Sequence, residues 1–352
     1  MKVLVIQIKM IGDVLASTVI CETIKKKYPK AEVHYLIQKN TFAVVDNNPF
    51  INKIVFFEPN EHKGFLNLYR FGKELKKEKY DIIIDVYGKW DSILPVYFSG
   101  ATRRIGHYKW YTQFFYTENV HSDSECNGAA NAYRLLLAKV SLGNEVEIIF
   151  PKIHLTDEEI ADAKIEINKN LDHTKRIFMI SIVGSGKNKS LPAKNMSETL
   201  DAIADTKDVQ LIFNYIPNQF EEVKAIYDLC LPKTQAKINL SFYAKSLRSF
   251  IALLSQCDAL VGNEGGATNI SKALSIPTFT IFSPWIRRKS WNIMEDDGNY
   301  FYIHLNDYYP EIYKGEHPKK LKKKTFELYD LLVVALYKEK LLKFIDNVMS
   351  SV

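Results

Sequence analysis

Residues 3–15 read VLVIQIKMIGDVL, and this stretch decides the fold. Residues 3–8 are almost all apolar, which is typical of a strand buried in a parallel sheet. Gly12 and Asp13 lie in the turn that follows, and a helix is predicted over residues 14–27, where a lysine run and then Pro29 end it. A buried strand, a turn and a helix in this order form the first unit of a doubly wound α/β sheet.

Strand and helix keep alternating along the chain. Strands are predicted at residues 32–37, 53–57 and 80–86, with helices at residues 65–79 and 131–142. A highly charged helix begins at Thr156, and the alternation restarts at Arg176. The sequence therefore predicts an α/β protein made of two Rossmann-like domains. The predicted bounds are residues 1–160 for the first domain, residues 175–324 for the second, and residues 325–352 for a last helix that packs back on the first domain.

Composition supports a folded protein of this size. The chain has 352 residues, of which 47% are hydrophobic and 25% charged, and a usual ~150 residues per domain gives about two domains. Four cysteines (Cys21, Cys126, Cys230, Cys257) lie far apart with no C-x-x-C pair. This spacing argues against a zinc site and a disulfide framework, and it fits a reducing compartment. The net charge of +6 is a mild excess.

The sequence also predicts where the protein works. Lys9 and Asp13 interrupt the first apolar stretch, and no small-residue cleavage site follows, so a signal peptide is not expected. No uncharged apolar stretch approaches the ~18 residues of a membrane-spanning helix. We therefore expect a soluble, cytoplasmic protein, unless a surface patch holds it at a membrane.

Two turns are candidates for chemistry. The first contains only Gly12, which disfavours the G-x-G-x-x-G loop of nicotinamide or flavin dinucleotide sites. The second, residues 261–269, reads VGNEGGATN and lies between a predicted strand and a predicted helix. Paired glycines let a ligand approach the backbone, and the free N–H groups of a helix start favour phosphate. The alternative is a tight turn in which Glu264 only caps the helix.

Five short segments, in this order and spacing, carry a family resemblance. They are residues 11–15 (IGDVL), 81–88 (DIIIDVYG), 104–106 (RIG), 189–192 (KSLP), and 261–274 followed by Pro277. With these segments the chain resembles the lipopolysaccharide heptosyltransferase family of GT-B glycosyltransferases, glycosyltransferase family 9. The resemblance implies two Rossmann-like domains facing across a cleft, with the acceptor in the first and the nucleotide sugar in the second. It also implies an inverting reaction with no metal and no cofactor, and the sequence has no Asp-x-Asp signature.

The resemblance assigns roles to single residues. Asp13 matches the general base that deprotonates the acceptor hydroxyl, the alternative being a helix N-cap. Lys189 matches the lysine that faces the donor phosphates, the alternative being an ordinary exposed lysine. The remaining donor-binding residues form the glycine-rich turn: Gly262, Asn263, Glu264, Gly265, Gly266, Ala267 and Asn269.

The chain departs from the family pattern at several positions. Glu264 stands where the family often has Asp, and Asn269 where it often has His. Binding of phosphate by backbone N–H groups survives both changes, whereas selectivity for the donor sugar is open. Asn218 or Gln219 takes the place of an acidic contact to the ribose. Gln7 replaces a residue that is commonly basic, which Lys9 could compensate.

Two basic groups are candidate contact surfaces. Arg103, Arg104 and His107 lie with Lys109 among aromatic residues, and they are predicted to bind a phosphorylated or acidic acceptor sugar. A solvated loop is the alternative, and nucleic acid is not expected because no binding motif accompanies the cluster. The second group has five lysines: Lys319, Lys320, Lys322, Lys323 and Lys324. It is either a solvated surface or a contact to anionic lipid headgroups.

Together these inferences predict transfer of a sugar onto a lipopolysaccharide core or a related lipid-linked acceptor, with ADP-heptose as the donor. The protein would work in the cytoplasm, peripherally at the inner face of the inner membrane. Three alternatives stay open: a hexosyltransferase, a nucleotide-sugar 2-epimerase and a non-catalytic sugar-nucleotide-binding protein.

Overall fold

A computed structural model describes residues 1–121, 130–143, 149–172, 174–206, 208–286 and 298–350. The chain divides into two compact units, and along the described residues the boundary falls between His154 and Leu155. The helix of residues 157–170, which bridges the two predicted domains, belongs to the second unit.

The first unit contains six strands and four helices in its described residues. In chain order they are β1 (Lys2–Ile6), α1 (Ile11–Lys27), β2 (Glu32–Ile37), β3 (Lys53–Phe56), α2 (Phe65–Lys77), β4 (Ile82–Asp85), α3 (Trp90–Phe98), β5 (Arg103–His107), β6 (Glu118–Val120) and α4 (Ala130–Leu142). All strand pairs are parallel, in the order β3-β2-β1-β4-β5-β6. β1 and β4 are central and, apart from Lys2 and Asp85 at their ends, apolar, because helices cover both faces of a sheet of this kind.

The second unit repeats this design. Its elements are α5 (Asp157–Asn170), β7 (Arg176–Ser181), α6 (Ala193–Ala204), β8 (Val209–Phe213), α7 (Phe220–Leu229), α8 (Pro232–Gln235), α9 (Leu247–Leu254), β9 (Ala259–Asn263), α10 (Gly266–Ala273), β10 (Thr278–Ile281), β11 (Tyr300–Ile303), α11 (Pro318–Lys323), α12 (Thr325–Leu331) and α13 (Lys338–Ser350). The five strands are parallel in the order β11-β10-β9-β7-β8. The prediction of two parallel-sheet α/β units is confirmed.

The strand orders predict where a ligand binds. In the first sheet the chain winds outward in both directions from the β1/β4 pair, and in the second sheet from the β7/β9 pair. In open α/β sheets the crevice outside the carboxyl ends of such a central pair takes the ligand. The loops after β1, β4, β7 and β9 are therefore the places to look for a site.

The end of the chain differs from the sequence prediction. Residues 325–350 form two helices, α12 and α13, and they belong to the second unit rather than to the first. Phe344 of α13 lies 5.7 Å from Phe279 and 5.5 Å from Phe301, measured between ring centroids. The apolar stripe of α13 is thus buried in the core that includes the second sheet.

An ion pair fixes α5 to α9 within the second unit. The Arg248 guanidinium donates to both carboxylate oxygens of Glu159, with Nη2 at 2.8 Å from Oε2. These hydrogen bonds lower the pKa of Glu159 from an ordinary 4.5 to about 2. A carboxyl whose pKa is lower in the folded state adds stability above its unfolded pKa and loses it as the pH falls.

We therefore expect the stability that this pair adds to be complete above pH 4.5 and to disappear as the pH falls toward 2. Glu159→Gln should lower the free energy of unfolding at about pH 7, and the gap to the wild type should narrow at about pH 3. Urea unfolding at the two pH values measures this. The control is Glu158→Gln, an exposed neighbour, and a gap that is independent of pH would contradict the assignment.

No helix among the described residues is long and apolar enough to cross a membrane.

Candidate functional site

Asp13 lies just beyond the carboxyl end of the central strand β1. Helix α1 begins at Ile11, so Asp13 is in its first turn, where the helix dipole favours a negative charge. The N-cap is Met10, which makes no side-chain capping bond, so Asp13 is not the N-cap residue. Only 5% of Asp13 is exposed. A carboxylate whose only role was to interact with the helix dipole could remain in water, so the dipole does not explain this burial.

Two cations hold the carboxylate of Asp13. Arg134 on α4 places Nη2 at 3.2 Å from Oδ1, and Lys9 places Nζ at 3.3 Å from the same oxygen. Oδ2 has no hydrogen-bond partner among the described residues. The pair of Asp13 and Arg134 is almost completely buried, with side-chain exposures of 7% and 4%. One oxygen of this carboxylate is therefore held by two cations, and the other accepts no hydrogen bond from the described residues.

Arg134 was not singled out by the sequence analysis. Burial lowers its pKa, and the charge of Asp13 opposes that shift. Its Nε also donates to Ser17 Oγ at 2.9 Å, and that hydroxyl donates to the Asp13 carbonyl at 2.8 Å. One signal was available, because a single arginine within the predominantly apolar stretch of a predicted helix must find a buried partner.

Asp85 is the last residue of β4, the second strand of the central pair, and its side chain organises the loop that follows. Its carboxylate is fully buried, which raises its pKa, and it accepts four hydrogen bonds. The donors are Tyr87 N, Gly88 N, Ser92 Oγ and Tyr116 Oη, at 2.7–3.1 Å. Gly88 has φ +58°, a conformation that glycine adopts without strain. The second loop at this edge is therefore rigid.

The predicted acceptor-binding residues have unequal surroundings. Arg103 forms a two-pronged ion pair with Glu118 at 2.6 and 2.9 Å and donates to the carbonyl of Ser141. Arg104 donates to the carbonyls of Phe115 and Ala101. Both guanidinium groups thus hold β5 to its neighbours.

His107 is the last residue of β5. Its pKa falls to about 3 because of burial, assisted by the charges of Lys109 and Arg134. The imidazole is therefore neutral at physiological pH, and it lies within electrostatic range of the guanidinium that holds Asp13. It can hydrogen-bond a sugar but cannot attract an anion.

In the second unit, the loops after β7 and β9 bring Lys189 and Glu264 together. Lys189 Nζ lies 3.0 Å from Glu264 Oε1. The angle is too poor for a hydrogen bond, which leaves this buried oxygen without one. The Glu264 side chain is only 7% exposed, whereas that of Lys189 is 27% exposed. Lys189 is therefore the more exposed member of the pair.

The glycine-rich turn has an inner part that holds the backbone. A Cβ on Gly262 would lie 2.4 Å from the Ser181 carbonyl oxygen, and φ is +135° there, so only glycine fits. Asn263 is fully buried, accepts from Leu191 N at 2.7 Å and donates to the carbonyls of Ser181 and Ile182. These two residues of the predicted donor-binding set thus lock the β7 loop onto β9.

The outer part of the turn is open. A Cβ on Gly265 would meet nothing within 4 Å. Gly266 and Ala267 are the first two residues of α10, so their N–H groups have no acceptor within the helix. Asn269, one turn further, is half-buried, and its side chain makes no hydrogen bond with the described residues. These N–H groups and Lys189 lie at the β7/β9 edge, and unpaired N–H groups at a helix start together with a lysine are an arrangement that favours an anion.

An aromatic pocket of about 520 Å³ lies one strand further along the same edge, after β8. Its lining residues are Tyr215, Pro217, Phe220, Leu240, Ser241 and Tyr243. The sequence analysis named only Asn218 and Gln219 here. Gln219 is used locally, because its Oε1 accepts from Ile216 N at 3.1 Å. The pocket itself was missed because its two halves are far apart in sequence.

Metal coordination has no candidate among the described residues, where no three His, Cys, Asp or Glu side chains are placed to hold an ion.

Comparison with known proteins gives consistent results. Residues 68–295 match the model of glycosyltransferase family 9 (heptosyltransferase). Lipopolysaccharide heptosyltransferase 1 of Campylobacter coli is 23% identical over 295 residues, which cover 80% of this chain and 84% of that protein.

Two solved structures share the fold. The glycosyl transferase family 9 protein from Veillonella parvula has a TM-score of 0.79 at 17% identity, covering 99% of this chain and 98% of that one. E. coli heptosyltransferase WaaC with ADP-2-deoxy-2-fluoro heptose has a TM-score of 0.65 at 15% identity, covering 90% of this chain and 100% of that one. The predicted GT-B fold class is confirmed.

Proposed function

The chain belongs to glycosyltransferase family 9, the heptosyltransferase family, and we propose that it transfers a heptose from ADP-heptose to a lipopolysaccharide core or a related lipid-linked saccharide. It is a glycosyltransferase by its family; the donor and acceptor are the proposal. The observation that carries the proposal is the same kind of placement in both units. A buried carboxylate held by cations lies at the ligand edge of the first sheet, and a lysine beside a helix start lies at the ligand edge of the second.

Asp13 acts as the general base in this proposal. The acceptor hydroxyl donates to Oδ2, and its proton passes to the carboxylate while the oxygen attacks the anomeric carbon of the donor. The bond from that carbon to the diphosphate oxygen breaks, so a single displacement inverts the configuration. Arg134 is a positioning residue that fixes the carboxylate through Oδ1. His107 offers the acceptor a neutral hydrogen-bonding ring.

The donor diphosphate lies on Lys189 and the open N–H groups of Gly266 and Ala267. The ammonium group and the helix N-terminus stabilise the charge that develops on the departing diphosphate. Asn269 is placed to hydrogen-bond the phosphate or the sugar. The nucleoside occupies the aromatic pocket after β8, where Tyr215 and Phe220 offer flat apolar surfaces. Gly262 and Asn263 act indirectly, through the backbone that they fix.

The test is turnover of a panel of nucleotide sugars with a delipidated lipopolysaccharide acceptor, followed by mass spectrometry of the product. Release of ADP with addition of one heptose supports the proposal. Preference for a hexose donor, epimerisation without an acceptor, or tight binding without turnover each favours one of the three alternatives. Mass spectrometry of lipopolysaccharide from a deletion strain identifies the natural acceptor.

Activity should not require a divalent cation. Lys189 and the start of α10 supply the positive charge that a bound metal would otherwise bring to the diphosphate. We expect turnover in excess EDTA to match turnover without it. A collapse of activity that Mg²⁺ or Mn²⁺ restores would contradict the metal-free mechanism.

A lipid-linked acceptor places the enzyme at the inner face of the inner membrane, and we propose peripheral contact there. The lysine run of residues 319–324 remains a predicted contact. Its side chains are exposed, but Lys322 lies over the ring of Trp285 at 4.8 Å, and Lys320 pairs with Glu316 at 3.6 Å.

A further inference from the structure

A continuous chain of aromatic rings runs over the surface of the first unit. It links the segment after β5 to α3 and then to α2. Adjacent ring centroids are 4.8–6.4 Å apart. In spatial order the rings are Trp110, Tyr111, Trp90, Phe115, Tyr97 and Phe98, with Phe65 and Tyr69 both in contact with Phe98. We call these residues, with Leu66 and Phe114, the aromatic patch.

The aromatic patch is far more exposed than packing requires. Phe114 is 80% exposed and Trp110 75%, and Phe65 and Leu66 on α2 are 63% and 57% exposed. Single exposed apolar residues are normal in proteins, but a contiguous group of large ones marks an interaction surface. Packing against the interior does not explain Phe114 and Trp110, because both leave most of their surface in water.

Cationic side chains lie beside the aromatic patch. The exposed side of α2 carries Arg70, Lys73, Lys76 and Lys77 against the single acid Glu74, whereas Trp90 has Lys89 on one side in the chain and the exposed acid Asp91 on the other. Lys73 packs over Tyr69 at 5.3 Å, and Arg104 over Tyr97 at 5.9 Å. Tryptophan and tyrosine beside lysine and arginine is the composition that suits a membrane interface, where rings enter the headgroup layer and cations meet anionic lipid.

The aromatic patch borders the ligand edge of the first sheet. Trp90 begins α3 two residues after Gly88, whose loop is fixed by Asp85. On the other side, Lys109 donates to the carbonyl of Gly88, and Trp110 follows it directly. Trp90 and Trp110 are thus anchored to the same rigid loop, which lies beside the edge that carries Asp13.

We propose that the aromatic patch is the surface by which the protein docks on anionic membranes. This deepens the proposed function, since a lipid-linked acceptor would present its saccharide to Asp13 while its acyl chains stay in the bilayer. The cations attract the anionic leaflet, and Trp110 and Phe114 insert among the headgroups. The alternative partner for this surface is another protein. The cationic side chains beside the aromatic patch favour an anionic lipid surface instead.

The test is co-sedimentation of the full chain with vesicles of phosphatidylethanolamine and phosphatidylglycerol. The double variant Trp110→Ser/Phe114→Ser removes the two most exposed rings without touching the interior. We expect its vesicle partition coefficient to fall about tenfold or more, because each ring loses its burial in lipid. Wild-type binding should weaken in high salt and on neutral phosphatidylcholine vesicles.

Two controls make the result specific. Leu229→Ser/Leu231→Ser removes two exposed apolar side chains from the second unit, 55% and 47% exposed, and should leave binding unchanged. The variant with all five lysines of residues 319–324 replaced by Gln should keep most of the binding. If that variant loses binding and the Trp110/Phe114 variant keeps it, the docking surface is the lysine run and the proposal is overturned.

Failure of the docking proposal can be distinguished from failure of the proposed function. On a soluble, delipidated acceptor the Trp110/Phe114 variant should turn over like the wild type, whereas on acceptor embedded in vesicles it should be slower. Vesicle binding without turnover of ADP-heptose would reject the proposed donor and leave the docking surface standing. If the wild-type protein does not bind anionic vesicles, the proposal is overturned, and a protein becomes the expected partner of the aromatic patch.

Discussion

Asp13→Asn should lower turnover by about 100-fold or more while the affinity for ADP stays nearly unchanged. The amide keeps the size of the carboxylate and an oxygen that can accept from Arg134, so the buried guanidinium is not left alone. It cannot take a proton from the acceptor hydroxyl. The loss should therefore fall on kcat, since a proton acceptor acts only in the transition state.

The experiment measures kcat with saturating donor and acceptor, and ADP binding by calorimetry. Glu22→Gln is the matched control, because Glu22 is a buried acid on the same helix, 6% exposed and paired with Lys26. It should stay close to the wild type in both measurements. Turnover of Asp13→Asn within about threefold of the wild type would mean that Asp13 only helps to hold α4 through Arg134.

Half of this site could be predicted from the sequence. Asp13 follows a recognisable buried strand, and a carboxylate in the turn after such a strand lies at the ligand edge. Arg134 lies more than a hundred residues away on α4, and local patterns do not indicate which helix returns to that edge. Burial of a charge requires a partner, but only the fold identifies the partner as Asp13.

A similar limit applies to the strands and the helix that the sequence did not predict. Apolar runs predicted β1, β4, β7 and β9 because central parallel strands are buried on both faces. β5 reads RRIGH and β6 ENV, which are short and mostly polar; β6 is the edge strand of the sheet and β5 lies next to it. α3 was also missed, because it contains Pro95, which normally argues against a helix interior. It packs closely on α2, where a Cβ on Gly72 would lie 3.0 Å from the Pro95 carbonyl oxygen.

In the second unit, sequence reasoning found both members of the pair of Lys189 and Glu264 but not their contact. The two residues come together because β7 and β9 are neighbours in the sheet, although β8 lies between them in the chain. Asn263 and Gly262 then fix the distance between the two loops. Residues predicted as ligand contacts thus divide into an inner pair that holds the backbone and an outer group that can meet a ligand.

This arrangement makes Lys189→Ala more damaging to the donor site than the loss of one contact. The substitution removes the ammonium that faces the diphosphate, and it leaves the Glu264 carboxylate, 7% exposed, without its cation beside an incoming anion. We expect the affinity for ADP to fall by about 10- to 100-fold, since charge-assisted contacts are the strong ones and like charges repel. Adenosine has no phosphate, so its affinity should change little.

The double variant Lys189→Ala/Glu264→Gln decides between a phosphate contact and a purely structural pair. If Lys189 binds the diphosphate, the second change removes the repelling carboxylate, and ADP affinity recovers in part but stays below the wild type. Non-additivity of this sign measures the coupling of the two side chains at the site. Lys194→Ala is the control, because this exposed neighbouring lysine should leave binding intact. If Lys189 serves only to neutralise Glu264, calorimetry will instead show full recovery of ADP affinity in the double variant.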